Sequence, residues 1–233
     1  MPNRPQMIVG ELYHVYHRGI DGRIVFPTKN HYERFISALQ LFNTTRSVTL
    51  REYFQLIKSG VRPLQEKEER LVKIGAFNLR PTHHHMLVRP LVKGGLSLFM
   101  QKINSGFTNF FNLKHSRTGP LFEGRYKVKH VNDDRYARHI QAYIPLNALD
   151  NAMPNWRKGI LDVKKAKRIL HEYPWSSFSS YFGNNKFPGI IDPLFINDFF
   201  DNAKDLERYT LSWKAETFGE ILTVLADGAF YRS

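Results

Sequence analysis

Two apolar runs separated by a single proline turn constrain this chain most. Leu71–Leu79 and His83–Val88 each read as a β-strand, and Arg80-Pro81-Thr82 between them reads as the tight turn of a hairpin. Pro81 lacks an amide donor, so it suits the turn and not a central ladder. The second run, His83-His84-His85-Met86-Leu87-Val88, carries three consecutive histidines. Side chains two apart on a strand point the same way, so His83 and His85 share one face and His84 takes the other. Two readings of that pair stand side by side: a satisfied structural pair, or two imidazoles converging on a metal ion.

The elements around the hairpin follow from periodicity. Residues 11–17 alternate as a first strand, and Lys29–Phe42 places Tyr32, Phe35, Ile36 and Leu39 on a helical stripe. Residues 43–70 read as a peripheral connection. A helix from Gly94-Gly95 to about Leu113 follows the hairpin, then a loop through Gly119-Pro120 and a fourth strand over Tyr126–Val131. Asp133 or Asp134 supplies the cap of a helix that carries Tyr136, Ile140, Tyr143 and Ile144. Strand, helix, strand, strand, helix, strand, helix predicts an α+β fold: an RRM-like (ferredoxin-like) antiparallel sheet with helices packed on one face. Residues 1–150 form this domain. Residues 151–233 read as a smaller helical appendage, with helical pieces at 164–170, around 193–203 and over 205–225, and a turn at Tyr173-Pro174-Trp175-Ser176-Ser177-Phe178.

Tyr143 and Asn147 lie four residues apart, one helical turn, which sets them side by side. Two imidazoles, an amide and a phenol together suggest phosphodiester chemistry. A divalent ion on His83, His85 and Asn147 would stabilise charge on the phosphate oxygens, and Tyr143 would attack the phosphorus. Charge points to the same substrate. The 233-residue chain carries a net charge of +13, and such an excess usually meets phosphate. Between 112 and 138 the basic residues Lys114, Arg117, Arg125, Lys127, Lys129, Arg135 and Arg138 face only Glu123, Asp133 and Asp134, whereas from Gly189 onward acidic residues outnumber basic ones. Arg18, Lys114, Arg117, Arg125, Lys127 and Lys129 are therefore candidate phosphate contacts, Tyr126 is a candidate base-stacking residue, and Arg157, Lys158, Lys164, Lys165, Lys167 and Arg168 make the appendage either a further DNA-binding surface or a solvated basic face. The chain has no cysteine, which excludes disulfides and thiolate ligands. No apolar run is long enough for a membrane span and the N-terminus lacks a signal-peptide core, so a cytoplasmic location without a membrane partner is expected.

The ordered set of motifs resembles the single-tyrosine HUH transposases, and in particular their REP-associated tyrosine transposase (RAYT) branch. It comprises Tyr13-His14-Val15-Tyr16-His17-Arg18-Gly19, His83-His84-His85, Gly119-Pro120-Leu121-Phe122-Glu123-Gly124-Arg125-Tyr126, Tyr143-Ile144-Pro145-Leu146-Asn147 and Tyr173–Phe178. The resemblance implies that His83 and His85 are the metal ligands, Asn147 completes the site and Tyr143 is the nucleophile. It implies Mg²⁺ or Mn²⁺ as the ion, single-stranded DNA beside a hairpin as the substrate, a 5′-phosphotyrosine intermediate with a free 3′ hydroxyl, and a monomer or homodimer. Several positions depart from the family pattern: the middle motif residue, usually apolar, is His84; the preceding Met-Pro-Asn is Arg80-Pro81-Thr82; and Tyr-Ile-His-x-Asn-Pro is Tyr143-Ile144-Pro145-Leu146-Asn147-Ala148, in which Pro145 interrupts the helix that carries Tyr143. Two other classes fit the same residues. One is a non-catalytic single-stranded RNA- or DNA-binding module, including a decayed transposase retained as a binder; the other is a phosphodiesterase that uses water.

Overall fold

A computed structural model describes residues 7–48, 52, 69–184 and 188–214. Four strands, β1 (Leu12–Arg18), β2 (Val72–Arg80), β3 (His83–Pro90) and β4 (Lys127–Val131), form one sheet in the order β2-β3-β1-β4. Every neighbouring pair is antiparallel. Arg80 pairs with His83, so Pro81 and Thr82 alone close the β2–β3 hairpin. The main helices are α1 (Lys29–Leu41), α2 (Gly95–Lys114), α3 (Asp134–Leu146), α4 (Val163–Glu172) and α5 (Ala203–Leu211).

The antiparallel α+β sheet agrees with the sequence expectation, but the helices divide between its two faces. Helices α1 and α2 cover the face that presents Tyr13, Val15, Met86 and Val88. Helix α3 and the segments after it cover the other, against Leu12, Ala76 and Leu87. The reason lies in β2, where every residue from Ile74 to Arg80 is buried. A strand apolar on both sides needs a layer on each. One core cluster on the α3 side joins residues from before and after position 150, among them Ile140, Tyr143, Trp156, Phe178, Phe195 and Trp213.

Burial rather than capping holds α1. Thr28 makes no side-chain cap bond, and a cap is worth only about 1 kcal/mol. Phe35, Ile36 and Leu39 are each fully buried, at roughly 1.5–3 kcal/mol apiece. Helix α3 uses both devices: the Asp133 carboxylate accepts from the Tyr136 amide at 2.8 Å, while the helix buries ten of its residues.

The Tyr173–Phe178 stretch, expected as a turn, seals the outer edge of β2. Backbone amides of Leu79 and Ser177 donate to Trp175 O and Phe77 O at 2.9 and 3.0 Å, the Tyr173 hydroxyl donates to Leu79 O, and Trp175 stacks on Tyr32. Further along the same strand, a register shift falls between Ile74 and Ala76. A Cβ on Gly75, at that shift, would stand 2.3 Å from the Phe195 ring, so only glycine admits this contact. Of the expected helix over 205–225, Ala203–Leu211 is helical and positions 215–225 fall outside the described residues; a 3-10 turn occupies Pro193–Asp198. Most of the expected connection over 43–70 also lies outside them, although Asn43 clamps its start by bonding Leu71 N, Val72 N and Val72 O. Among the described residues no helix is long and apolar enough to cross a membrane.

His84 takes the α1/α2 face. It is fully buried against Phe35 and Phe122, and among the described residues neither ring nitrogen has a hydrogen-bond partner. Burial first, then the neighbouring His17 and His83, hold its pKa well below the ordinary histidine value. A buried polar group without partners costs about 1–3 kcal/mol. His84→Leu is therefore expected to raise stability by about 1–2 kcal/mol, read as a higher urea midpoint with an unchanged slope; a lower midpoint would show the imidazole to be satisfied.

Candidate nucleic-acid-processing site

The α3 side of the sheet gathers the chemistry. His83 and His85 project from β3 with ring centroids 5.1 Å apart. In the adjacent strand, Tyr16 pairs with His85 and Arg18 with His83. His14, on the same face of β1, places Nε2 3.1 Å from His85 Nδ1, a bond that orients both rings whichever nitrogen carries the proton. The His83 Nδ1 lies 2.9 Å from the Thr82 hydroxyl.

All three imidazoles are held neutral. Burial is the main cause for each; it lowers the His14 pKa to about 3 with help from Lys129. For His83, burial and the Arg80, Arg18 and Arg157 charges outweigh Asp150 and bring the pKa to about 4. His85 lies well below its ordinary value, through burial and the neighbouring histidines. Neutral imidazoles keep a lone pair for a ligand, so the pair suits a divalent ion. Among the described residues, however, no group of three or more His, Asp and Glu is arranged to hold a metal. The pair is a two-donor site, and a further donor must come from an amide, water or the substrate.

Asn147, the expected amide donor, closes its own helix. Its Nδ2 donates to Tyr143 O and Ile144 O at 3.2 and 3.1 Å, and its Oδ1 faces the Arg157 guanidinium at 3.5 Å. Arg157 is in turn paired with Asp150 at 2.6 Å, and Asp150 also faces Arg80 at 3.6 Å. A cationic cluster of Arg18, Arg80 and Arg157 thus acts on His83 against the single carboxylate of Asp150.

Tyr143 is completely buried. Its ring packs among His139, Trp156 and Trp213, with centroids 6.3, 5.8 and 5.6 Å away. Tyr143 and Asn147 therefore share one helical turn as expected, and the tyrosine lies inside an aromatic wall contributed partly by the C-terminal segments.

Residues 22–147 match the family model described as Transposase IS200 like. The chain belongs to the IS200-like transposase family. No curated protein matches this transposase-family chain. Among solved structures it is similar to a REP-associated tyrosine transposase bound to a REP hairpin, with a TM-score of 0.48 and 15% identity over 81% of this chain and 88% of that one.

The basic residues of this transposase-family chain separate into three groups. Arg18, Lys127 and Lys129 lie on the histidine side of the sheet, because Lys127 and Lys129 pair with Tyr16 and His14 across β1–β4. Lys114 and Arg117 lie at the end of α2, bonded to Asn30 and Asn112. Arg125 and Tyr126 line a cavity on the opposite face, where Tyr126 is largely buried in the core. Sequence reading missed His14, Tyr16, Arg80, Asp150, Trp156 and Trp213, and named Arg157 only as a DNA contact of the appendage. The alternation of Tyr13–His17 does place His14 and Tyr16 on one face, but nothing local reveals that β1 lies beside β3.

Proposed function

We propose that this protein nicks and rejoins single-stranded DNA beside a hairpin, using Tyr143 as the nucleophile. The observation that carries the reading is the neutral His83–His85 pair set beside the Arg18, Arg80 and Arg157 cluster on one face of the sheet. Arginines bind the non-bridging phosphate oxygens with paired donors. The Tyr143 Oη–P bond forms as the P–O3′ bond breaks; the phenol proton departs and the leaving oxygen is protonated to a 3′ hydroxyl. The 5′-phosphotyrosine keeps the energy of the diester, so a second 3′ hydroxyl can reverse the step without a nucleotide cofactor. His83 and His85, with Asn147 once its Oδ1 turns from Arg157, would hold Mg²⁺ or Mn²⁺, which neutralises charge on the transferring phosphoryl group.

Because Tyr143 is sealed, a phosphodiester reaches it only after the wall of Trp156 and Trp213 parts. The same burial favours the second reading, a DNA binder that has no covalent chemistry. One experiment separates them. Labelled hairpin oligonucleotides with single-stranded flanks, incubated with the protein and Mn²⁺, are expected to yield a denaturant-resistant protein–DNA adduct that a chelator abolishes. Cleavage without an adduct would assign the attack to water, and binding without cleavage would support the binder.

A further inference from the structure

The side of the sheet away from His83 and His85 carries a second feature. A cavity of about 890 Å³ opens between α2 and the loop that leads into β4. Its α2 wall is a row of hydroxyls and amides in which Gln101, Asn104 and Thr108 repeat at helical spacing. Phe122 and Tyr126 form its floor and Arg125 stands at its rim.

Two properties separate this wall from an ordinary solvated helix face. Among the described residues no lining side chain is a carboxylate and Arg125 is the one Lys or Arg, although the solvated faces of surface helices usually carry many charges. In addition, the cavity holds two aromatic rings, Phe122 and Tyr126, on which a base can stack. Side-chain amides offer a donor and an acceptor side by side, the pattern that matches a base edge and adenine above all. Arg125 is placed for the attached phosphate.

The cavity also connects with the histidine face. Phe122 bridges Gly19, and Glu123 N donates to Arg18 O, so the loop is attached at the end of β1, where Arg18 points to the other side. The sheet is one layer thick here, and among the described residues β4 is its last strand. A single strand of DNA passing over β4 would meet Lys127 and Lys129 on one side and the cavity on the other.

We propose that this cavity is a second DNA subsite, which holds an unpaired base against Gln101 and Asn104 with its phosphate on Arg125. The inference rests on the proposed DNA substrate and adds to it the place where unpaired sequence is read. The histidine face handles the backbone, whereas this cavity distinguishes bases.

The test uses the full chain and fluorescence anisotropy with two probes: a labelled hairpin with a single-stranded flank, and the same hairpin without it. Flanks of adenine, cytosine, guanine and thymine are compared. The unsubstituted protein is expected to bind the flanked probe more tightly, with adenine favoured. Gln101→Ala with Asn104→Ala is expected to weaken flanked binding by about 10-fold or more and to leave the unflanked hairpin unchanged. Gln101 is exposed and Asn104 half-buried on α2, alanine favours a helix, and circular dichroism checks the fold. Equal affinity of the double variant for the flanked probe would overturn the subsite while leaving the DNA-processing function intact. Failure of the unsubstituted protein to bind either probe would overturn both.

Discussion

Tyr143→Phe binds a labelled hairpin oligonucleotide as tightly as the parent protein and forms no covalent adduct with it. Phenylalanine keeps the ring that packs against Trp156 and Trp213 and removes only the oxygen that would bond phosphorus. The fold should therefore survive. Loss of a nucleophile typically lowers a covalent step by about 10³-fold or more, which places the adduct below detection on a denaturing gel. His83→Ala should fail in the same assay for a different reason: it leaves the phenol in place and removes one of the two neutral donors on β3. Added Mn²⁺ at high concentration is expected to recover part of the activity of His83→Ala and none of that of Tyr143→Phe. An adduct of normal yield in Tyr143→Phe would move the nucleophile elsewhere, and Tyr16, beside His85, would be examined next.

Stability is expected to fall steeply as pH drops from 7 to 5. His139 is fully buried against the Trp213 ring, and burial with the nearby Arg135 charge lowers its pKa from 6.5 to about 3. In the unfolded chain the same group takes up a proton near pH 6.5, so between pH 6.5 and 3 the unfolded state binds more protons. Its contribution is complete above pH 6.5 and is lost as pH falls toward 3. One such histidine removes about 2 kcal/mol between pH 6.5 and 5, a substantial part of a typical domain's 5–15 kcal/mol. His31 acts in the same direction. Its pKa is lowered to about 4, chiefly by burial and then by Lys114 and His115, and its Nε2 meets His115 Nε2 at 2.9 Å. That contact joins α1 to the end of α2. Urea midpoints at pH 7, 6 and 5 check the expectation. A flat series would contradict it, and His139→Phe should make the slope shallower.

The sheet was legible because its signals are local. Alternation marked β1, the apolar runs and Pro81 marked the hairpin, and the stripes of Phe35–Leu39 and Phe99–Phe111 marked the two helices on one side. The helix on the other side was harder to place. Its position depends on β2 being apolar towards both layers, a property visible in the nearly unbroken run Leu71–Leu79 but not in any period. Within the site, the alternation of His83 and His85 was readable from the strand alone. Arg157 and Asp150 were not, because they approach His83 only after the chain has turned back past α3. Trp213 meets Tyr143 across seventy residues of sequence, and no spacing rule anticipates that contact.

The two margins of the sheet differ in what they permit. The β2 margin is already occupied, because Trp175 and Ser177 accept and donate along it as an additional strand would. Among the described residues the β4 margin has β1 as its one neighbour in the sheet, and in five residues it carries Lys127, Lys129 and His130. An open strand edge is a template for aggregation unless charge discourages a second backbone from docking. On the proposed DNA substrate these lysines would serve two ends at once. They make lateral growth of the sheet unfavourable while the protein is alone, and the polyanion they would attract is a partner that cannot extend the ladder.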